Sequence, residues 1–326
     1  MDKLRRRVVS VPGLFLFAIA LLATLPLWLP MAALADLVRG RLRLPTVRLL
    51  AFGLGWAWIE SAGVMTAAFL WITGRSRNHA AHYRLMRWWA ARLMGTLRVT
   101  TGIRVAQVDA DCIAPGPVVL LCRHASLADS LLSAWVATSK LGMNPRYVLK
   151  RELLADPCLD IVGGRLPNYF LDRQASDSLL ELEAVRSLSA DMGRDHVAVI
   201  FPEGTRASAR KRERALIKIG ERDPERAKRL NQMRHLLPVR PAGSAALVAG
   251  CPQADVVIGW HVGFEGLDTF GGILRHLSRS PRPIRFCSRR IARADVPAGE
   301  AFTRWLDDVW LQADQAVDEL LKIDDR

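Results

Sequence analysis

The chain opens with two long apolar runs. Val8 to Leu34 is almost wholly apolar, and so is Leu49 to Thr73. Each is long enough to cross a hydrocarbon core, which takes about 20 helical residues. Pro12, Pro26 and Pro30 interrupt the first run. The clean helix between Gly13 and Leu25 would rise only about 20 Å at 1.5 Å per residue, short of the ~30 Å core. Lys3, Arg5, Arg6 and Arg7 precede the first run, Arg39, Arg41, Arg43 and Arg48 separate the two, and Arg75 and Arg77 follow the second. Two full spans would strand the middle cluster on the far side, against the positive-inside tendency. A re-entrant or monotopic hairpin over residues 1–77 keeps every cluster on the cytoplasmic face of the inner membrane, and is the expectation; two true spans are the alternative. A signal peptide fits less well. Ala33-Leu34-Ala35 resembles a cleavage site, but the apolar core is overlong and a second apolar segment follows. Trp28, Trp71, Trp88 and Trp89 suit interface anchors. Glu60 is expected near the interface or paired within the hairpin, rather than lining a lipid pathway.

The pattern changes after residue 77. From Asn78 to Leu97 apolar residues recur at helical spacing through Leu85, Trp88, Trp89 and Leu93, with Arg84, Arg87 and Arg92 on the other face. This predicts an amphipathic helix lying on the membrane. Strand-like runs follow: "RVTTGIRV", "PVVLLC", "PRYVLK", "HVAVIF", "ADVVIGWHVGF" and "PIRFCSRR". Helical segments are predicted over Asp129 to Leu141, Ser176 to Met192 and Glu300 to Leu321. Strands alternating with helices predict an α/β domain over residues 78–326, with a mixed sheet flanked by helices.

Charge and composition narrow the partners. The 326 residues carry a formal net charge of +14 and are 50% apolar. Such a chain is drawn to anionic headgroups, phosphorylated small molecules, acidic proteins or nucleic acid. Aromatic residues do not interleave with the basic tracts as stacking platforms would, which argues against nucleic acid. The five cysteines are scattered, odd in number and lack a C-x-x-C. A disulfide framework or zinc site is not expected, and no metal is.

Two polar turns stand at the ends of apolar strands. "RHASLAD" follows "PVVLLC", and "PEGTR" follows "VAVIF". In open α/β sheets, sites gather outside the carboxyl ends of strands. Histidine titrates near pH 6.5 and can accept a proton at neutral pH. A carboxylate on its other nitrogen fixes the tautomer and stabilises the imidazolium. His124 and Asp129 are therefore a candidate catalytic dyad for deprotonating an alcohol. Taken alone, H-x-x-x-x-D is weak and reads more readily as a loop histidine beside a capping aspartate. "FPEGTR" is more specific: Gly204 shapes a turn, Thr205 offers a hydroxyl, Arg206 offers a fork matched to phosphate, and Glu203 would orient that arginine or a substrate hydroxyl.

In these motifs the chain resembles the glycerophospholipid acyltransferases, typified by 1-acylglycerol-3-phosphate acyltransferase. Four motifs stand in the family's order: His124 to Asp129, "YFLDR" ending at Arg173, "FPEGTR", and "LLPVRPAG" with Pro238, Pro241 and Gly243. "VLKRELLADP" and a basic insert before the fourth motif are similar to the lysocardiolipin-type subgroup. The resemblance implies His124 as base, oriented by Asp129, with Arg173, Glu203, Gly204, Thr205 and Arg206 holding a glycerol phosphate. It implies a lysophospholipid acceptor among membrane phospholipids, and acyl-CoA or an acidic acyl carrier protein as donor, with no bound cofactor. Arg123 departs from the family, where Asn is common before the histidine; it is expected to meet an extra phosphate or form a surface pair. The insert from Ala207 to Arg234 could hold coenzyme A phosphates, dock a carrier protein, lie on anionic lipid, or form a solvated helix pair. Two rivals stand. One makes Cys122 a hydrolase nucleophile paired with His124; the other is a membrane-bound binding protein without catalysis. His196, His235 and His261 are read as structural.

Overall fold

The structure is a computed structural model describing residues 3–172 and 178–324. The N-terminal region is helical: α1 (Lys3–Ala23), α2 (Leu25–Val38), α3 (Pro45–Ile72) and α4 (His79–Thr101). Then follow β1 (Val105–Asp109), β2 (Val118–Cys122), α5 (Asp129–Trp135), β3 (Asn144–Lys150), α6 (Pro157–Ile161), β4 (Tyr169–Leu171), α7 (Ser178–Ser189) and β5 (His196–Ile200). The last part holds α8 (Ala209–Gly220), α9 (Pro224–Leu230), α10 (Pro241–Gly250), β6 (Asp255–Val262), α11 (Phe270–Leu277), β7 (Ile284–Ile291) and α12 (Glu300–Asp324).

The strands form one sheet in the order β1-β7-β6-β2-β5-β3-β4. Its interior is parallel, and β7 runs antiparallel to β6. The sheet is mixed and covered by helices on both faces, as expected. Central parallel strands are buried on both sides and so read as unbroken apolar runs. On β2, Val119 and Leu121 enter the core beside Leu247 of α10 and Trp310 of α12. Val118, Leu120 and Cys122 enter the opposite core, beside Leu97 of α4 and Leu132 of α5. That alternation places the next residues, the polar turn at His124, just beyond the carboxyl end of the strand.

One predicted strand is corrected. "RVTTG" is the last turn of α4, not a strand. Its β-branched residues suit either state, and Gly102, at φ +68°, ends the helix with its N–H bonded to the carbonyl of Arg98. The strand starts only at Val105.

The N-terminal helices lie along the α/β unit. α3 buries Ala57, Glu60, Val64 and Ala67, at helical spacing, and packs along α4. Buried Asp36 closes the α2–α3 turn, accepting from the N–H and hydroxyl of Thr46, both at 2.7 Å. Arg6 and Arg7, at the start of α1, pair with Asp160 of α6 at 2.7 and 2.8 Å. At the other end, Arg48 donates to the carbonyls of Thr100 and Leu277, both at 3.2 Å. Both ends of the hairpin are thus tied to the same unit. Glu60 is fully buried and accepts from Trp89 Nε1 at 2.7 Å. Its partner lies on α4 rather than within the hairpin, and Trp89 points inward rather than acting as an interface anchor. α1 and α3 are long and apolar enough to cross a membrane. Leu16, Leu27, Met31, Leu34, Phe69 and Trp71 stand exposed on α1 to α3.

Candidate active site

The turn after β2 is organised by one carboxylate. Asp129, 2% exposed, opens α5 and reaches back over the turn. Its Oδ2 accepts from His124 Nδ1 at 2.8 Å and from the N–H groups of Ala125 and Ser126 at 2.6 and 2.7 Å. Its Oδ1 accepts from the Ser126 hydroxyl. Burial alone would raise the Asp129 carboxyl and oppose its charge. The histidines and these hydrogen bonds outweigh that and hold it well below the usual carboxylate range. Asp129 therefore stays ionised. With Nδ1 donating to it, His124 Nε2 carries the lone pair and has no partner among the described residues. The imidazole rests on the ring of Phe201, with centroids 4.8 Å apart.

The second turn is stitched to the first. Gly204 adopts φ +71°, where a side chain would be strained. The N–H of Ala207 donates to the carbonyl of His124 at 2.7 Å. Glu203, 2% exposed, accepts from the N–H of His124 at 2.7 Å and of Leu237 at 2.9 Å. It brackets the first, third and fourth motifs together. Both Glu203 oxygens hold buried main chain, and its carboxyl does not orient Arg206. Arg206 instead donates to the carbonyl of Asp268 at 3.0 Å, and Lys211 reaches the Thr205 hydroxyl at 3.3 Å. The turns that carry His124, Asp129, Gly204, Thr205 and Arg206 are thus held side by side. Arg173 lies outside the described residues.

Behind the histidine turn lies an apolar cavity of about 820 Å³. Leu127 and Leu131 line it from the turn and α5, Phe52 and Trp56 from α3, and Leu93 from α4. Such a volume accommodates a drug-sized apolar group.

Residues 104–250 match the family model described as Acyltransferase. This stretch is an acyltransferase-family domain. The resemblance carried by the four motifs therefore holds. A search of curated proteins found no match. Among solved structures, the chain is similar to the 1-acyl-sn-glycerophosphate (LPA) acyltransferase PlsC from Thermotoga maritima, with a TM-score of 0.53 and 14% identity, over 84% of this chain and 97% of that one. At that identity the likeness speaks to the fold.

Further residues of this chain can be set against the sequence reading. Arg123 does not form a surface pair. It is 3% exposed and reaches inward to the His261 carbonyl and to Glu265 Oε1, the latter at 3.0 Å. An arginine before the histidine serves here as an internal strut. Cys122 is buried in the core, where burial pushes its thiol far above the usual range. That is the reverse of an activated nucleophile. His235 pairs with Asp318 at 2.9 Å, and the N–H of Gly193 donates to His196 Nδ1 at 3.2 Å, both as structural groups. His261 is placed differently, beside the histidine turn. Its Nε2 lies 3.2 Å from Asp129 Oδ1. Its only sequence signal was a polar residue inside a buried strand.

Proposed function

We propose that this acyltransferase moves an acyl chain from an acyl thioester to the free hydroxyl of a lysophospholipid, with 1-acylglycerol-3-phosphate as acceptor and phosphatidic acid as product. The observation that carries this reading is the 2.8 Å His124–Asp129 pair at the rim of the apolar cavity, beside the Arg206 turn. The cavity takes the acyl chain. Arg206, Thr205, the Gly204 turn and Arg173 hold the acceptor phosphate. His124 Nε2 removes the hydroxyl proton as the oxygen attacks the thioester carbonyl. A C–O bond forms, the C–S bond breaks, and the imidazolium returns its proton to the leaving thiolate. A thiol of pKa near 8.5 needs little acid assistance. No acyl-enzyme forms. Donors are acyl-CoA or acyl carrier protein.

The same reading places residues 1–77 in one leaflet of the cytoplasmic membrane and the α/β domain on its cytoplasmic face. Exposed apolar residues on α1 to α3 supply the embedded surface. The test is acyl transfer from thioester to a panel of lysophospholipids in detergent. Wild type should turn over lysophosphatidic acid fastest. His124→Ala should lose about 10²–10⁴-fold in kcat with its thermal melt intact. Undiminished transfer by His124→Ala would remove His124 as the base.

A further inference from the structure

Asp129 has more to hold than a catalytic carboxylate ordinarily does. A carboxylate offers about four lone-pair directions. Oδ2 is filled by His124 Nδ1 and two main-chain N–H groups, while Oδ1 takes the Ser126 hydroxyl and keeps one direction open. His261 Nε2 stands in that direction at 3.2 Å. The His261 ring is 2% exposed. Both ring nitrogens are buried, and neither completes a hydrogen bond of ordinary geometry among the described residues; Nε2 meets Asp129 at ion-pair distance instead. The ring is also held from outside the dyad. Phe264 meets it edge-on, with centroids 5.5 Å apart. The carbonyl of His261 accepts from Arg123, whose guanidinium pairs with Glu265 Oε1 at 3.0 Å. Glu265 Oε2 in turn accepts from the N–H of Gly263 at 2.7 Å. The buried strut preceding the catalytic histidine therefore fixes the strand end that carries the second imidazole.

We propose that His261 is a positioning residue, which locks Asp129 from the side opposite His124 and limits how strongly Asp129 holds a proton on His124. This rests on His124 being the base. An Nε2–H beside Oδ1 draws on the negative charge that would otherwise fall wholly on His124. Without it, Asp129 stabilises the imidazolium more strongly and its carboxylate loses one wall. His124 then stays protonated to higher pH and is a poorer base near neutrality. The other groups facing this pair are the Cys122 thiol, the buried carboxyl of Glu203, Arg123 and Glu265, with His276 of α11 beyond Glu265. All remain in place when His261 alone is changed.

The decisive experiment compares His261→Phe, which keeps a buried ring, with His261→Gln, whose amide N–H₂ can reach the Nε2 position. Each is assayed in the full-length detergent-solubilised enzyme for kcat, KM for the lysophospholipid and the pH profile of kcat/KM. His261→Phe should lose about 10-fold in kcat with KM unchanged, and the acid limb should move to higher pH. His261→Gln should stay within about 3-fold of wild type and restore the limb. A wild-type profile in His261→Phe, or equal impairment of both variants, would overturn the proposal. If His261→Phe fails to melt cooperatively, His261→Gln against His261→Asn decides. Only Gln carries its amide to the Nε2 position, so equal rates and equal limbs would overturn it. His124→Ala runs alongside. Retained activity there would remove the base itself, an outcome distinct from failure of the His261 variants.

Discussion

Glu203 shows how one buried carboxyl can hold the main chain of two motifs together. Its two oxygens bracket the N–H groups of His124 and Leu237, so the histidine turn and the fourth motif share one carboxyl. Burial disfavours its charge and raises it to about 8, while those two N–H groups and Arg123 pull the other way. Near neutrality it therefore carries a proton that an unfolded carboxyl would have lost. A group raised in the fold contributes fully below its unfolded value and loses that contribution as pH rises through its folded value. For Glu203 the window runs from 4.5 up to about 8. Glu203→Gln does not titrate, and its amide nitrogen cannot accept the second N–H. It should cost about 1–3 kcal/mol. The gap in Tm between wild type and variant should be widest near pH 5 and shrink towards pH 8. A gap that widens with pH would mean that Glu203 is held ionised.

At the scale of elements, the basic insert is anchored rather than free. Asp307 of α12 is fully buried and takes Arg226 of α9 through two bonds of 2.7 and 2.8 Å, with Arg229 beside them. Two turns further on, Asp314 accepts the N–H groups of Arg234, His235 and Leu236 at 2.7 to 2.8 Å. The insert's second half is thus tied down, while Arg210, Arg214, Lys218 and Arg222 on and after α8 stay exposed. Removing one member of a buried ion pair strands the other, at about 3–5 kcal/mol. Asp307→Ala should lose that much in urea unfolding, and Asp307→Leu combined with Arg226→Leu should recover most of it. A loss below about 1 kcal/mol in the single variant would show the pair to be solvated. None of this was legible in the sequence, because acidic residues on a terminal helix announce no partner so far back in the chain. What was legible followed from local periodicity. β2, β3, β5 and β6 showed as apolar runs because both faces are buried, whereas β7 is buried only over its first half and showed through Ile284 to Cys287. β4 stayed hidden because three half-buried residues make no pattern. Of the site, His124 and Asp129 were readable because they lie within one turn. His261 and the inward role of Arg123 were not, since only the β2–β6 pairing brings them together.

For the whole molecule, the question is which side of a membrane the α2–α3 turn faces. Tethers at both ends bear on it. Arg6 and Arg7 hold the start of α1 to Asp160, while Arg43 and Arg48 hold the turn to the carbonyls of Arg279, Thr100 and Leu277. α3 has 28 residues, about 42 Å at 1.5 Å per residue, enough to span a core of ~30 Å. A spanning α3 would carry the turn away from the partners it bonds here. Those bonds and the positive-inside tendency favour a hairpin lying in one leaflet. A labelling experiment decides it. Four of the five cysteines are buried and Cys112 is partly exposed, so Cys112→Ser gives a quiet background. Arg41→Cys would report on the turn and Lys218→Cys on the α/β domain. In sealed vesicles of known orientation, a membrane-impermeant maleimide should label both from the same side. Labelling from opposite sides would make α3 a true span, and the tethers would then belong to the detergent or free state rather than to the embedded enzyme.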